Sequence, residues 1–416
     1  MNLLPLCLTA CTLLSAVGCA AQSAPRLRPL PPGWADADIW VCAGQSNMAG
    51  AGIIAGKPRP EPGVIMYNMD GRWMPAVEPL HRIFASDAPA IRDTLIKNWG
   101  RPGYEAARKQ EARQPYGGVG PGMPFARHIV RQTGRKVALA PCALGATSMA
   151  DWSPRRKGEG DGSLYGNMLQ RIAEVGGKVK GLIWYQGEGE TMAGLQAPFT
   201  ATWLEFVDSL RRDTGIADLP IITVQIARYC LDTDPAYGLA WESIRDQQRT
   251  VAAKRPHLFV VPAIDLPTDD LIHIGTAGHK RLGVRMAEVA LDKVYGLHGR
   301  ATAIDYASHE VVPDPNPLHH RMKVRFTGVN GRLQAPGRAS GFSLRSDEPL
   351  RDGPMVFKVE FDPREPSTAI LWCTKAIEKP VSLYYGAGLD PYANITDSRD
   401  MAVPAFGPIR VLPVAK

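Results

Sequence analysis

The chain has 416 residues, more than one ordinary hydrophobic core accommodates, so we expect two or three domains. Hydrophobic residues make up 45% and charged residues 21% of the sequence, which is the composition of a globular protein and not of a low-complexity chain. The formal net charge of +7 is spread along the chain without a dense basic block, so we expect no nucleic-acid partner.

Residues 1–22 are predicted to be a targeting segment and not part of the fold. Leu3–Val17 is apolar but shorter than the roughly 20 residues that cross a bilayer, as in a signal peptide. The stretch AVGC that ends at Cys19 resembles a bacterial lipobox, in which Cys19 would be lipidated. We therefore expect an exported, lipid-anchored protein, periplasmic or at the cell surface, that meets a membrane only through this anchor.

Residues 23–297 are predicted to form one α/β domain. Nearly continuous apolar runs predict buried parallel strands at Ile39–Ala43, Lys136–Ala143, Gly181–Gln186, Pro220–Ala227 and Leu258–Ala263. Longer amphipathic runs predict helices at Met123–Gln132, Leu164–Val175, Thr200–Arg212, Ala240–Lys254 and Thr276–Tyr295. This alternation predicts a three-layer α/β/α domain with a parallel sheet, whose ligand sites lie at the carboxyl ends of the strands.

Two further regions have a different residue pattern. Residues 50–122 form a Pro- and Gly-rich insertion that is too long for a simple loop; it either shapes a substrate groove or is a structural excursion. Residues 298–416 contain short alternating runs such as MKVRFTG, VFKVEF and TAILWC, which predict a β-rich C-terminal domain. This domain has no nucleophile or ligand cluster, so we expect it to pack or to contact glycans.

Polar residues stand where the predicted strands end, and three of them are of the types that catalyse acyl transfer. Ser46 follows the first strand, and a serine becomes a nucleophile at neutral pH only beside a base. His273, after the fifth strand, is such a base. Asp270, three residues earlier, would hold its imidazole in the required tautomer.

The tetrahedral intermediate of such a reaction needs preorganised N–H donors. The candidates are the Ser46 amide, the Gly145 amide and the Gln186 side chain. Each residue alone has a structural explanation, because His273 could be a surface histidine, Asp270 a helix cap, Gly145 a turn and Gln186 a loop brace. Their placement at successive strand ends favours a catalytic site.

Four segments match one family in order: GQSNMAG, PCALGATSMADW, GLIWYQGEGE and DDLIH. Over most of residues 38–292 the chain resembles the carbohydrate and sialic-acid acetylesterases of the SGNH (GDSL-like) hydrolase superfamily. The resemblance implies a flavodoxin-like fold, Ser46 as nucleophile with Asp270 and His273 completing the triad, and Gly145 and Gln186 in the oxyanion hole. It also implies a serine esterase that acts on an acetylated carbohydrate without a cofactor or metal.

The resemblance leaves the sugar open. PCALGATSMADW resembles the plant and acetylxylan-esterase branch, whereas the β-rich tail resembles that of sialate O-acetylesterases. Three nearby residues are candidates for substrate contact or for support of the site. Glu188 could orient its loop or meet a sugar hydroxyl, Asn47 could keep the nucleophile turn rigid, and Trp152 could stack on a sugar ring or pack in the core.

Two other functions remain open at this stage. A lipid or thioester hydrolase on the same fold would need an apolar acyl groove, whereas the insertion is rich in Pro, Gly, Arg and Asp. A non-catalytic surface lipoprotein that binds glycans through its β-rich tail would not need the triad.

Overall fold

A computed structural model describes residues 26–192, 194–231, 235–300, 302–314, 316, 318–346 and 353–413. The predicted targeting segment, with Cys19, lies outside these residues and stays a prediction. Among the helices that the structure describes, none is both long and apolar enough to cross a membrane.

The first part of the chain is built on a mixed, mostly parallel sheet. Its strands are β1 (Asp38–Gly44), β2 (Val64–Tyr67), β3 (Trp73–Pro75), β4 (Val137–Pro141), β5 (Gly181–Tyr185), β6 (Ile221–Gln225) and β7 (Leu258–Pro262). Their order is β3-β2-β4-β1-β5-β6-β7, and only β3 runs antiparallel to its neighbour. Strands β1, β4, β5 and β6 are buried along their whole length, as their continuous apolar runs predict.

Helices cover this sheet. They are α1 (Ser46–Ala49), α2 (Pro89–Gln110), α3 (Gly122–Thr133), α4 (Leu164–Glu174), α5 (Phe199–Thr214), α6 (Pro235–Val251) and α7 (Thr276–Lys293). Local chemistry sets several ends, because the Ser163 hydroxyl caps α4 by accepting the Gly166 N–H at 3.0 Å and α3 ends at left-handed Gly134. Helix α3 packs on α7, and α5 packs on α4 and α6. The predicted α/β class is confirmed.

The insertion at residues 50–122 is not a simple loop. Strands β2 and β3 extend the sheet beyond β4, and α2 follows them. None of these three elements was predicted from the sequence. Strand β2 has only four residues, and the pattern of α2 is interrupted at Gly100, with φ 70°, and at Pro102.

The C-terminal part consists of antiparallel sheets, as predicted. Its strands are β8 (Asp305–Val312), β9 (His320–Thr327), β10 (Leu333–Gln334), β11 (Phe342–Arg345), β12 (Val356–Phe361), β13 (Thr368–Cys373), β14 (Val381–Tyr385), β15 (Thr396–Asp397) and β16 (Phe406–Val411). They pair in the orders β12-β13-β9-β8, β11-β14-β16 and β10-β15. The predicted boundary at residues 297 and 298 falls between α7 and β8.

Buried polar contacts join the two parts. Arg285 in α7 is 2% exposed and forms ion pairs with Asp265 at 2.7 Å and with Asp400 of the C-terminal part at 3.2 Å. Gln225 at the end of β6 exchanges two hydrogen bonds of 2.8 Å with the Ala405 backbone. Because an unpaired buried charge or amide is costly, these contacts fix how the parts meet.

Candidate active site

Ser46 is the first residue of α1, directly beyond the carboxyl end of β1. Gly44 has φ 127°, and a Cβ at this position would lie 2.1 Å from the Tyr185 carbonyl oxygen, so only glycine lets β1 approach β5 here. The next residue, Gln45, donates its N–H to the same oxygen at 2.8 Å. The backbone of the sheet therefore holds the turn, and the Ser46 side chain is left half-buried.

Asp270 and His273 lie together in the loop after β7. Asp270 Oδ2 is 2.7 Å from His273 Nδ1, and Oδ1 accepts the N–H groups of His273 at 2.7 Å and Ile272 at 2.8 Å. Partial burial raises the pKa of Asp270, but these N–H groups and the imidazole lower the pKa more, so it lies below its ordinary value. The carboxylate thus orients the ring through Nδ1 and leaves Nε2 as the nitrogen that can accept a proton.

Asn47 connects the serine turn to this loop. Its side chain is 1% exposed, and Nδ2 donates to the Ile272 carbonyl at 3.2 Å while Oδ1 accepts the Ile274 N–H at 3.0 Å. The residues on both sides of His273 are therefore bonded to the residue that directly follows Ser46. The asparagine brings the histidine loop next to the proposed nucleophile, and this role is more specific than the rigid turn that the sequence predicted.

Two buried carboxylates follow β5. Glu188 is 6% exposed, its Oε1 accepts the Asn47 amide at 2.8 Å, and its Oε2 has no partner within the described residues. Burial raises the pKa of Glu188, and the bond from Asn47 opposes the shift. Glu190, which the sequence analysis did not single out, accepts the Met149 N–H at 2.6 Å, and its burial raises its pKa to about 7. The only sequence signal for Glu190 was the repeated Gly-Glu of GEGE.

Gly145 lies against Ser46. A Cβ on Gly145 would be 3.3 Å from the Ser46 Cβ. The next residue, Ala146, has φ 57°, a conformation that residues other than glycine seldom adopt. Within the described chain neither the Ser46 N–H nor the Gly145 N–H donates to another group. Both amides are therefore available to an anionic oxygen.

The structure gives Gln186 a different use from the oxyanion donor that the sequence predicted. The side chain is completely buried, and its amide nitrogen donates to the Glu190 carboxylate and, at 3.4 Å, to the Thr147 carbonyl. Both N–H groups are therefore engaged. Gln186 and Glu190 together brace the loop that carries Gly145.

Trp152 packs in the core. Its side chain is 0% exposed, its Nε1 donates to Thr147 Oγ1 at 3.1 Å, and its ring meets Trp184 edge-on at 5.1 Å. A sugar cannot stack on a ring without exposed surface, so the stacking alternative for Trp152 does not hold. The core-packing alternative was the correct one.

Hydrogen bonds through Tyr229 and Cys230 connect the C-terminal part to the histidine loop. Tyr229 donates its N–H to the Leu389 carbonyl at 2.9 Å, and Cys230 donates its N–H to the Leu271 carbonyl at 2.7 Å. Arg245, completely buried, donates to the same Leu389 carbonyl at 3.0 Å. The β-rich part thus reaches the site through backbone contacts.

In the described part of the chain, no three His, Cys, Asp or Glu side chains are grouped to hold a metal ion. The described cysteines, Cys42, Cys142, Cys230 and Cys373, are free thiols. Burial raises the pKa of Cys42 and Cys142, so both stay protonated and act as small apolar residues.

Comparisons with known proteins agree with this architecture. The family model described as "carbohydrate esterase, sialic acid-specific acetylesterase" matches residues 36–292. The "Probable carbohydrate esterase At4g34215" of Arabidopsis thaliana is 27% identical over 286 residues, which are 63% of this chain and 92% of that protein. The carbohydrate acetylesterase XAC1771 from Xanthomonas citri superposes with a TM-score of 0.62 at 18% identity, over 90% of this chain and 80% of that chain. The likeness to this structure shows the fold, with the C-terminal β-sheets included.

Proposed function

Because this chain belongs to the carbohydrate esterase family of sialic acid-specific acetylesterases, we propose that it removes O-acetyl groups from a glycan with a Ser46–His273–Asp270 triad. One observation carries the proposal. The imidazole of His273 is held by Asp270 at 2.7 Å, and the Asn47 side chain bonds both neighbours of His273 to the serine turn.

In the first half of the reaction, His273 Nε2 takes the Ser46 proton as Ser46 Oγ attacks the acetyl carbonyl carbon. The carbonyl oxygen becomes an anion, and the amides of Ser46 and Gly145 stabilise it. The bond to the sugar oxygen then breaks, and that oxygen leaves with the proton from His273. Asp270 stays ionised throughout because its pKa is lowered, so it stabilises the imidazolium.

In the second half, water replaces the sugar. His273 takes a proton from the water as its oxygen attacks the acetyl-Ser46 carbonyl carbon. The same two amides stabilise the second anion, and Ser46 Oγ leaves with the proton from His273. Acetate is released and the free serine is restored.

Three buried side chains would support these steps without touching the acetyl group. Asn47 holds the histidine loop, and Glu188 fixes the Asn47 amide through its 2.8 Å bond. Glu190 anchors the Gly145 loop through the Met149 N–H. We propose these as positioning residues, with Gln186 as a brace between the two loops.

The natural glycan and the location of the enzyme are also proposals. Acetylated sialic acid and acetylated plant polysaccharides are the two substrate classes that the motifs suggest. A targeting segment over residues 1–22, with Cys19 as a lipid anchor, would place the enzyme in the periplasm or at the cell surface, where such glycans are met.

The test is acetate release by the chain without residues 1–22, with Ser46→Ala as control. Acetylated xylan, acetylated pectin and 9-O-acetyl sialic acid are compared side by side, and 4-nitrophenyl acetate is compared with 4-nitrophenyl octanoate. Ser46→Ala should lower kcat by roughly 10⁴-fold or more, because triad members act as a unit. Circular dichroism should show an unchanged fold.

The outcomes separate the alternatives. Near wild-type activity of Ser46→Ala would refute the triad. Faster cleavage of octanoate than of acetate would favour a lipid hydrolase, and glycan binding without acetate release would favour a binding lipoprotein. Because His273 must be neutral to accept a proton, kcat/KM should also be lost in acid.

A further inference from the structure

Trp99 and Tyr116 form an exposed aromatic pair on the insertion. Their rings meet edge-on with centroids 4.8 Å apart, and both contact Phe84, at 5.3 Å and 5.6 Å. Phe84 is completely buried, whereas Trp99 is 42% exposed and Tyr116 is 49% exposed. The core therefore holds both rings from beneath, and each presents free surface to solvent.

Backbone hydrogen bonds connect the segment of Tyr116 to the nucleophile turn. Gly118, two residues after Tyr116, donates its N–H to the Gly50 carbonyl at 2.9 Å, and Gly50 donates its N–H to the Ser46 carbonyl at 2.8 Å. The path from Ser46 to Tyr116 therefore consists of one helical turn to Gly50, one hydrogen-bonded backbone pair to Gly118, and two residues along the chain. Added together, these steps place the Cα atoms of Ser46 and Tyr116 at most about 18 Å apart. This distance is within the reach of a short glycan chain bound at Ser46.

A buried polar group lies behind the pair. Glu111 is 5% exposed, and its Oε2 accepts the Tyr116 N–H at 3.3 Å, while its Oε1 has no partner in the described chain. Burial raises the pKa of Glu111, and the Tyr116 N–H and Arg82 oppose the shift. An unpaired buried oxygen is costly, and because this atom has almost no accessible surface, a buried water and not a ligand would satisfy it.

The surroundings of the pair favour a sugar over a lipid. The exposed residues near the two rings in sequence include the polar or charged Lys97, Asn98, Arg101, Arg113 and Gln114, together with Gly100, Pro102, Ala112 and Gly117. An acyl groove would be apolar throughout, whereas charged side chains lie near both rings. A sugar ring has one apolar face and hydroxyls around its edge, so it fits two aromatic rings within a polar rim.

We propose that Trp99 and Tyr116 form a subsite for a sugar ring next to the acetylated residue, so that the enzyme prefers acetyl groups on oligosaccharides over those on free monosaccharides. This inference rests on the proposed esterase function of Ser46. The insertion then serves substrate length selection, one of the two uses that the sequence left open.

The experiment compares short with long substrates of each class. Acetylated xylose is paired with acetylated xylotetraose, free 9-O-acetyl sialic acid is paired with the same residue in sialyllactose, and 4-nitrophenyl acetate has no sugar. Trp99→Ala and Tyr116→Ala should each raise KM for the better-cleaved long substrate about tenfold, since one ring contact is of that size. Their kcat, and their activity on 4-nitrophenyl acetate, should stay unchanged.

Three controls accompany these variants. Trp99→Leu and Tyr116→Leu keep an apolar contact with Phe84 but remove the flat ring, so they should show the same rise in KM with an unchanged melting temperature. Phe357→Ala removes a ring of similar exposure, 48%, from β12 and should change nothing. Ser46→Ala should still bind deacetylated xylotetraose or sialyllactose, as titration calorimetry would detect, and Trp99→Ala in that background should weaken binding about tenfold.

The results separate this inference from the proposed function. An unchanged KM for the long substrates with intact acetate release would overturn the subsite and leave the esterase in place. If the leucine variants lost as much activity on 4-nitrophenyl acetate as on the long substrates, the subsite would also be overturned, because the rings would then have only a structural role. If no glycan were deacetylated, the calorimetric comparison would decide, and equal binding with and without Trp99 would reject the subsite.

Discussion

The Ser46 turn and the Asp270–His273 loop are held in different ways, although the proposed mechanism needs both. The turn continues a buried strand, and the Gln45 N–H fixes it to the Tyr185 carbonyl at 2.8 Å. The loop lies at the surface, where the Asp270 side chain is 51% exposed and that of His273 is 27% exposed. The backbone of the sheet positions the proposed nucleophile. The proposed base is positioned by side-chain hydrogen bonds from Asp270 and Asn47 in addition to backbone bonds of its loop, such as that from the Asp269 N–H to the His273 carbonyl at 3.0 Å. We therefore expect substitutions that leave the fold intact to displace His273 more readily than Ser46.

The largest effect in this comparison is expected for Asp270→Asn. The asparagine can accept the same backbone N–H groups, but it lacks the charge that holds the imidazole tautomer and stabilises the imidazolium. We expect kcat to fall roughly 10³- to 10⁴-fold with little change in melting temperature. Asp269→Asn is the matched control, because the neighbouring Asp269 contacts the Thr276 N–H at 3.4 Å and not the histidine side chain. Loss of less than tenfold in Asp270→Asn would show that another group orients His273.

A smaller loss of activity, with a loss of stability, is expected for Asn47→Ala. The change removes the hydrogen bonds that Asn47 makes to the Ile272 carbonyl, the Ile274 N–H and Glu188 Oε1, all of which are buried or partly buried. We expect kcat to fall about 100-fold because the base is displaced, and the free energy of unfolding to fall by roughly 1–3 kcal/mol. Steady-state acetate release and urea unfolding measure the two effects.

Asn394 offers a matched control in the C-terminal part. It is also buried, and it makes three bonds to loop backbone, to the Pro336 carbonyl at 3.2 Å, the Arg338 carbonyl at 3.0 Å and the Ser340 N–H at 2.9 Å. Asn394→Ala should lose similar stability but keep kcat. Equal losses of kcat in the two variants would mean that Asn47 acts only through stability and not through His273.

The smallest effect on activity is expected for a histidine in α7, the helix that follows the histidine loop. His279 in α7 is 0% exposed, neither ring nitrogen has a partner in the described chain, and burial together with nearby His273 lowers its pKa to about 3. In the unfolded chain a histidine titrates near pH 6.5, so His279 disfavours folding as the pH falls from about 6.5 towards 3. The penalty grows by about 1.4 kcal/mol per pH unit and reaches roughly 2 kcal/mol at pH 5.

His279→Leu removes this titration. From pH 7.5 to pH 5.0 the variant should therefore gain about 2 kcal/mol of unfolding free energy relative to the wild type, as urea titrations at both pH values would show. Parallel losses in the two proteins would contradict the assignment. Activity at pH 7.5 should change much less than in Asp270→Asn.

The sequence alone determined the central strands, five of the helices and the residues from which a triad could be built. These features depend on local patterns, because a short continuous apolar run bounded by turn residues is typical of a buried strand. The pair Asp270 and His273 also has a local spacing, so its contact could be foreseen. The small β2, the interrupted α2 and the edge strand β3 carry too weak a local pattern and were missed.

Only the tertiary structure decided how the side chains are used. Gln186 directly follows β5 and Trp152 lies in the loop after β4, places that suit an oxyanion donor and a substrate platform. Yet the Gln186 amide is bonded to Glu190, and the Trp152 ring is buried against Trp184. Trp184 is distant from Trp152 in sequence, and so is Thr147, the second partner of the Gln186 amide, whereas Glu190 is only four residues from Gln186. The link from Asn47 to the two neighbours of His273 likewise spans about 225 residues of sequence. A hydrogen bond of this kind leaves no periodic trace in the chain, since its partners meet only after the sheet has formed.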